Sequence, residues 1–169
     1  MIRMPSGTQS FTYDCGVKAL QLVMAYYGEE VLYYRLLRKI KSHKRYGIPE
    51  RKLANIARGY GFKVTSLNKC ALSYIREAID NKQPVIVLLQ AWSEKELTDE
   101  QWKKTDDYGH YSIVIGITKN KIYFNDSLSF SKAWLTTKEF MNRWHGDGKK
   151  RFAIFVKGKA AKNNLEHMW

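Results

Sequence analysis

The sequence has few cysteines, no long apolar run and little acidic charge. Its 169 residues include two cysteines, Cys15 and Cys70. Two cysteines this far apart give no disulfide framework and fit a reducing compartment. No window approaches the roughly 18 uninterrupted apolar residues that a membrane helix needs. The N-terminus also lacks the apolar stretch of a signal peptide. We therefore expect a cytoplasmic, soluble protein with no membrane span.

Acidic residues are scarce relative to basic ones. The chain has 16 Asp and Glu against 29 Lys and Arg, which gives a formal net charge of +13. A balance this basic occurs in proteins that bind nucleic acid or anionic membranes. The densest basic stretch, residues 35–45, has apolar residues between its charges and matches no recognised nucleic-acid module. A solvated basic surface is the simpler interpretation, and nucleic-acid binding is kept as an alternative function.

The apolar content of 44% is enough to form a core in a chain of this length. Helical and β-type periodicity predict the following elements: helices at 15–27, 31–42, 49–58, 72–81 and near 136–144, and strands at 62–67, 83–92, 110–117, 122–126 and 151–158, with a turn at 118–121. Helices followed by an antiparallel sheet are typical of an α+β fold with segregated layers. Residues 93–109 form a polar connection that is long for a compact domain, so we expect it to be functional or mobile.

Cys15 stands where the first predicted helix begins, between Asp14 and Gly16. A cysteine nucleophile needs a lowered pKa, and the positive end of a helix macrodipole lowers the pKa of a nearby thiol. We expect Asp14 to be the N-cap of this helix. A buried and inert cysteine is the alternative interpretation of the same position.

Four histidines are candidates for the base that such a nucleophile requires. His43 lies in a basic polar stretch, His145 at a turn and His167 in the C-terminal tail, whereas His110 opens an apolar strand. A polar ring at the edge of a sheet is a common position for an active-site residue. The alternative is a turn histidine that bonds the backbone.

Further polar residues could complete a catalytic set. Asn125 and Asp126 end the strand after the hairpin, where either could orient the imidazole of His110. An aspartate there is also ordinary turn chemistry. Gln9 precedes Cys15 by six residues, so its amide either donates to the oxygen of a tetrahedral intermediate or is exposed in a polar loop. The order Cys, His, Asp is that of papain-like cysteine hydrolases.

The same residues lie in motifs that resemble those of the peptidase C39 family, papain-like cysteine peptidases that process the double-glycine leader peptides of bacteriocins. QSFTYDCGVKAL is similar to the family's Q-x₅-C element, GHYSIVIGI to its histidine motif, and IYFND to its aspartate strand. The matching stretches are residues 9–20, 26–28, 47–64, 83–89, 109–117, 122–127 and 140–146. The resemblance spans about residues 7–157.

The resemblance implies a papain-like α+β fold in which N-terminal helices pack on a C-terminal antiparallel sheet. It implies that Cys15 is the nucleophile and that His110 is the general base and acid. In the same way, Asp126 would orient His110, and Gln9 would donate to the oxyanion. No cofactor and no metal are implied. The chain departs from the family at Ser127, where the family has a proline.

The organisation predicted from the resemblance is a single domain over residues 1–169, with its core at 7–157 and a basic tail at 158–169. We expect a standalone cysteine peptidase that acts on a peptide or protein substrate, and the net charge favours acidic peptides. Well-known family members are domains of ABC transporters, but this sequence has no membrane part and no Walker A pattern. A separately encoded transporter therefore stays open as a partner. Residues 93–109 are expected to form a lid or partner surface over the cleft.

Two alternative functions are left open. The first uses the same catalytic residues, and the second has no need of them. An acyl or peptidyl transferase would pass its thioester to an amine instead of water. A non-catalytic peptide-binding module has no need of a thiolate, so the intact set of Gln, Cys, His and Asp argues against it. Cys70 has no counterpart in the family motifs and is interpreted as a structural thiol. The oligomeric state is left open.

Overall fold

The structure, a computed structural model, describes residues 1–11, 13–40, 48–129 and 132–158. Six helices and eight strands lie within these ranges. In chain order they are α1 Cys15–Tyr26, α2 Tyr33–Ile40, α3 Glu50–Gly59, β1 Lys63–Leu67, α4 Leu72–Asp80, β2 Val85–Gln90, α5 Asp99–Lys104, β3 Gly109–Ile117, β4 Lys121–Asn125, β5 Ala133–Thr136, α6 Thr137–Arg143, β6 His145–Gly146, β7 Lys149–Lys150 and β8 Ala153–Lys157.

Six of the strands form one antiparallel sheet in the order β1-β8-β2-β3-β4-β5. Every residue of β2 is buried, as are most of β3, because helices cover these central strands. Helix α1 packs on β3, α4 packs on β2 and β3, and α6 packs on β2, β4 and β5. Strands covered in this way are continuous apolar runs in the sequence. The predicted α+β class, with N-terminal helices on an antiparallel sheet, is confirmed.

The first four helices and the main strands form where periodicity predicts them. Helix α2 is described to Ile40, and the last two residues of the predicted helix 31–42 lie outside the described residues. The predicted turn at 118–121 joins β3 to β4, where the amide of Thr118 donates to the carbonyl of Lys121 at 2.8 Å. The sequence therefore locates the core elements correctly.

Helix α5 lies in the connection 93–109, for which the sequence predicts a polar connection and no helix. A capping box begins it: the amide of Gln101 donates to Thr98 Oγ1 at 3.3 Å, and the amide of Thr98 donates to Gln101 Oε1 at 2.8 Å. Only Trp102 is buried among its six residues, so no helical periodicity is visible. The T-x-x-Q pattern was the available signal for this helix.

Two further departures are short strands. β6 and β7 form a hairpin around Asp147 and Gly148, which both have positive φ, at 50° and 70°. Positive φ at both central residues is the geometry that an Asp-Gly turn favours. β5 is an edge strand of four residues paired with β4. Strands this short carry too few residues to show an alternating pattern.

An aromatic cluster anchors α6 to the sheet. Phe140 and Trp144 are 0% and 1% exposed, and their rings stack with centroids 4.8 Å apart. Phe124 of β4 lies 5.9 Å from Phe140, and the indole of Trp144 donates to the carbonyl of Phe152 at 2.9 Å. This cluster therefore joins α6 to β4 and to the chain that enters β8.

We expect Phe140→Ala to lower the free energy of unfolding by about 3–5 kcal/mol, because truncating a buried phenylalanine leaves a cavity. Urea unfolding followed by tryptophan fluorescence measures the change. Met141→Ala is the matched control on the same helix, since Met141 is 39% exposed and surface substitutions stay within about 0.5 kcal/mol. Equal losses in the two variants would contradict the packing described here.

Candidate active site

Cys15 is the first residue of α1 and lies directly against β3. It is 7% exposed, and the backbone amide of Tyr111 donates to its Sγ at 3.5 Å. Gly16 allows this close approach, since a Cβ there would lie 3.0 Å from the Tyr111 ring and 3.1 Å from a methyl group of Leu53. A larger residue would push the helix away from the strand. The sulfur is therefore held at the positive end of a twelve-residue helix.

His110 and Asp126 form a buried pair beside Cys15. Nε2 of His110 lies 2.9 Å from Oδ2 of Asp126, and the two residues are 4% and 5% exposed. The Cys15 side chain also acts on the imidazole and raises its pKa. Because Nε2 is engaged by Asp126, Nδ1 is the ring nitrogen that is left for Cys15. The imidazole thus lies between the thiol and the carboxylate.

The register of the sheet explains how Asp126 reaches the imidazole. Ile113 of β3 pairs with Asn125 of β4, so the following residue, Asp126, comes beside Ser112. Side chains two residues apart on a strand share a face, so Ser112 and His110 point to the same side. Asp126, not Asn125, is therefore the partner of His110. Asn125 instead donates through Nδ2 to the carbonyl of Pro5 at 2.8 Å.

Four donors satisfy the buried carboxylate of Asp126. His110 and the Ser112 hydroxyl, at 2.5 Å, bond Oδ2. The Trp92 indole at 3.1 Å and the amide of Leu128 at 2.9 Å bond Oδ1. Burial alone would raise the pKa of Asp126, but these hydrogen bonds and the charge of His110 hold it below its usual range. Asp126 is consequently ionised and fixed in place.

The pKa of His110 is raised to about 10. Burial acts to lower it, but the hydrogen bonds to Asp126 and Cys15 and the negative charges of these two side chains outweigh burial. The imidazole therefore carries a proton at neutral pH. A protonated ring next to a thiol stabilises the thiolate, which is the nucleophilic form of cysteine.

Sequence reasoning missed two of the side chains that bond Asp126. Ser112 had a visible signal, because it is a hydroxyl within an apolar strand at two residues from His110. Trp92 had none, since it follows a buried strand and is 48% exposed. Its φ of 62° lies in the left-handed region, which is disfavoured for a bulky residue. The surrounding contacts hold this conformation, in which the indole reaches Asp126.

Asp14 does not cap α1 as expected. Its side chain makes no cap hydrogen bond to the helix. The carboxylate instead turns back, accepting from the amide of Phe11 at 3.1 and 3.2 Å and from the hydroxyl of Tyr33. Asp14 is fully buried. The pKa of Tyr33 is raised by the burial of Tyr33 itself and by its hydrogen bond to Asp14. Asp14 thus fixes the turn that leads into Cys15.

Gln9 lies beside the end of β4, on the Ser127 side. Its Nε2 donates to the carbonyl of Phe11 at 2.7 Å, and its Oε1 accepts from the hydroxyl of Ser127 at 2.6 Å. Its backbone amide donates to the Ser127 carbonyl at 3.1 Å. Two hydrogen bonds therefore join Gln9 to Ser127, the residue after Asp126. Donation by Gln9 to an oxyanion stays a prediction.

Of the remaining histidines and the second cysteine, only His145 and Cys70 lie within the described residues, and both are bonded or buried away from this cluster. His43 and His167 lie outside the described residues. Nε2 of His145 lies 2.8 Å from the carbonyl of Trp102. Cys70 is 2% exposed, and burial, only partly offset by the charge of Arg151, raises the pKa of its thiol to about 11.

The connection 93–109 is packed against α6 through helix α5. Trp102 is buried, and the guanidinium of Arg143 lies 4.2 Å from the centroid of its ring. Lys138 pairs with Asp99 at 2.7 Å. The lid or partner surface expected for this segment stays a prediction.

Neither a metal-binding cluster nor a membrane-spanning helix is present in the described ranges, 1–11, 13–40, 48–129 and 132–158. No group of three or more His, Cys, Asp or Glu in them could hold a metal ion. No helix in them is long and apolar enough to cross a membrane.

An α+β fold with a cysteine at the start of a helix and a histidine on the facing strand is that of the papain-like cysteine peptidases. The model of the peptidase C39 family matches residues 3–148. The chain therefore belongs to the peptidase C39 family, whose members are cysteine peptidases that act on peptide bonds. A search of curated proteins gives no significant match.

Solved structures of peptidase domains share this fold. The peptidase domain of Streptococcus ComA, a bifunctional ABC transporter of a quorum-sensing pathway, is 22% identical with a TM-score of 0.70, over 94% of this chain and 100% of that one. A C39-like peptidase from Bacillus anthracis is 18% identical with a TM-score of 0.73, over 92% and 95%. A double glycine motif protease from an AMS/PCAT transporter, solved with its leader peptide, is 17% identical with a TM-score of 0.65, over 93% of each chain.

We expect iodoacetamide to label Cys15 well before Cys70 near pH 7, because Cys15 lies at the start of α1 beside the protonated His110, whereas burial raises the pKa of Cys70 to about 11. Mass spectrometry of tryptic peptides over a time course measures both rates. The Cys70→Ala variant is the control and should be alkylated at Cys15 at the wild-type rate. Equal rates at the two cysteines, or faster labelling of Cys70, would contradict an activated Cys15.

In Asp126→Asn we expect the pKa of His110 to fall from about 10 towards its ordinary value, because the substitution removes a negative charge from the partner of Nε2. NMR titration of the imidazole resonances follows the change. The wild-type ring should remain protonated above pH 8, whereas the variant ring should lose its proton at a lower pH. Asn125→Ala is the matched control at the same strand end and should leave the pKa of His110 unchanged. A fall in this pKa as large as that in Asp126→Asn would refute Asp126 as the partner of His110.

Proposed function

We propose that this protein is a cysteine endopeptidase in which Cys15, His110 and Asp126 form the catalytic triad and cleavage follows a double glycine. The observation that carries the proposal is the buried hydrogen bond between His110 and Asp126 beside Cys15, whose Sγ accepts from the backbone amide of the residue after His110. A nucleophile, a base and an orienting group in contact are the requirements for covalent catalysis.

Acylation begins with attack of the Cys15 thiolate on the carbonyl carbon of the scissile bond. The electron pair of the carbonyl moves to its oxygen and gives a tetrahedral oxyanion. When this intermediate collapses, the C–N bond breaks and His110 passes its proton to the leaving amine. The N-terminal part of the substrate is then held on Cys15 as a thioester.

Deacylation uses the same groups in the reverse order. His110 is now neutral and accepts a proton from water as the water attacks the thioester. A second tetrahedral intermediate forms, and its collapse releases a carboxylic acid and the Cys15 thiolate. The proton remains on His110, so the thiolate–imidazolium pair is restored. Asp126 stays ionised throughout and holds the ring in one orientation.

The oxyanion needs hydrogen-bond donors where negative charge develops. The backbone amide of Cys15 is in the first turn of α1, where amides have no partner within the helix. Gln9 supplies the second donor through Nε2, which carries two hydrogens and gives one to Phe11. Removal of one such donor typically costs about 10²–10³-fold in kcat.

We propose that the substrate is a peptide whose leader segment ends in two glycines. The double glycine motif protease with a similar fold was solved in complex with its leader peptide. The net charge of +13 attracts acidic peptides by long-range electrostatics. We therefore expect an acidic leader segment before the two glycines.

The decisive experiment is proteomic cleavage profiling of wild type beside Cys15→Ala. We expect cuts by wild type after Gly-Gly and loss of every cut in the variant, at least about 10³-fold in rate for a model peptide, since the thiolate forms the acyl bond. Cys70→Ala is the matched control and should retain the wild-type cleavage pattern. Cuts that persist in Cys15→Ala would contradict the proposal.

Addition of glycine amide to the same reaction separates hydrolysis from acyl transfer. A peptidase gives the free carboxylic acid as its main product at low amine concentration. A product that carries the added amine at the C-terminus, formed in preference to the acid, would identify a transferase and refute hydrolysis as the function. Mass spectrometry of the peptide products distinguishes the two.

A further inference from the structure

Ser127 connects Gln9 to the strand end that carries Asp126. Its hydroxyl donates to Oε1 of Gln9 at 2.6 Å, and its carbonyl accepts from the backbone amide of Gln9 at 3.1 Å. Ser127 is 4% exposed, so its hydroxyl forms this bond out of contact with bulk water. Two hydrogen bonds thus dock the segment before Cys15 onto a single residue.

The contacts of Gln9 permit only one orientation of its side-chain amide. Oε1 accepts from Ser127, and Nε2 donates to the carbonyl oxygen of Phe11 at 2.7 Å. Rotation of the amide by half a turn would bring Oε1 against the Phe11 carbonyl, where two acceptors repel each other. The Ser127 hydroxyl would then accept from Nε2 instead of donating to Oε1, so the Phe11 carbonyl selects the orientation and Ser127 holds it. One N–H of Nε2 therefore keeps a fixed direction and remains available to a ligand.

The same turn also fixes Asp126. The amide of Leu128 donates to Oδ1 of Asp126 at 2.9 Å, so the carboxylate closes a short turn around Ser127. Ser127 lies between the residue that orients His110 and the contact that orients Gln9. A proline at this position would keep the carbonyl but has no hydroxyl to donate.

We propose that Ser127 is a positioning residue for the oxyanion hole, which aims the Nε2–H of Gln9 by donating its hydroxyl to Oε1. This inference rests on the proposed function. It assigns to this chain a hydrogen bond that a proline in the same position could not make. Ser127 touches neither the nucleophile nor the substrate and acts only through Gln9.

The test compares Ser127→Ala, Gln9→Ala and the double variant on a fluorogenic peptide with Gly-Gly before aminomethylcoumarin. We expect Ser127→Ala to lower kcat about tenfold with little change in KM, less than the 10²–10³-fold cost of losing an oxyanion donor outright. In the Gln9→Ala background, Ser127→Ala should have no further effect, because the group that it positions is gone.

Two readouts separate oxyanion positioning from damage to the triad. Iodoacetamide alkylation of Cys15 forms no oxyanion, so its rate and pH profile should be the same in Ser127→Ala as in wild type. A peptide aldehyde ending in Gly-Gly forms a tetrahedral adduct with an oxygen in the hole, and its inhibition constant should rise about tenfold.

Asn125→Ala is the matched control for a merely structural role. Asn125 also fastens the N-terminal segment to this strand end, through its bond to the Pro5 carbonyl, but does not contact Gln9. It should leave kcat and aldehyde inhibition unchanged. Thermal denaturation of each variant shows whether it is folded.

Three outcomes would overturn the inference. They are full activity in Ser127→Ala, an equal loss of kcat in the Gln9→Ala background, and slower alkylation of Cys15 in Ser127→Ala. Absence of Cys15-dependent hydrolysis in wild type would instead refute the proposed function, and this inference with it.

Discussion

The contact between the first turn of α1 and the middle of the sheet is the constraint on which the site depends. Cys15 and Gly16 lie against Tyr111 of β3, and a Cβ at position 16 would press on the Tyr111 ring and on a methyl group of Leu53. This contact brings the positive end of a helix to the strand that carries His110. Without it the thiol and the imidazole would belong to separate layers of the fold.

The polar groups of the site are buried in an otherwise apolar centre, so each requires partners. The Asp126 carboxylate has four donors, which come from β3, the end of β2 and the turn after β4. These bonds offset the cost of burying its charge. They also fix the imidazole of His110, so the same network serves folding and, in the proposed mechanism, catalysis.

Sequence patterns were most informative where burial is continuous. The apolar runs of β2 and β3 and the periodicity of α1 and α4 locate the core and give the fold class. Helix α5, β5 and the β6–β7 hairpin were missed because each is too short to show a periodic pattern. Local signals for two of them, the Thr98–Gln101 capping box and the Asp147–Gly148 turn, were nevertheless present.

The sequence by itself determined which residues could do chemistry, since the order of Gln9, Cys15, His110 and Asp126 and their motifs are properties of the chain. Tertiary structure decided between neighbours such as Asn125 and Asp126, because strand register sets which side chain faces the imidazole. It also showed Asp14 bonded to Phe11 and Tyr33 instead of capping α1. The contacts of Trp92 and Ser127 join residues distant in sequence, which no local pattern encodes.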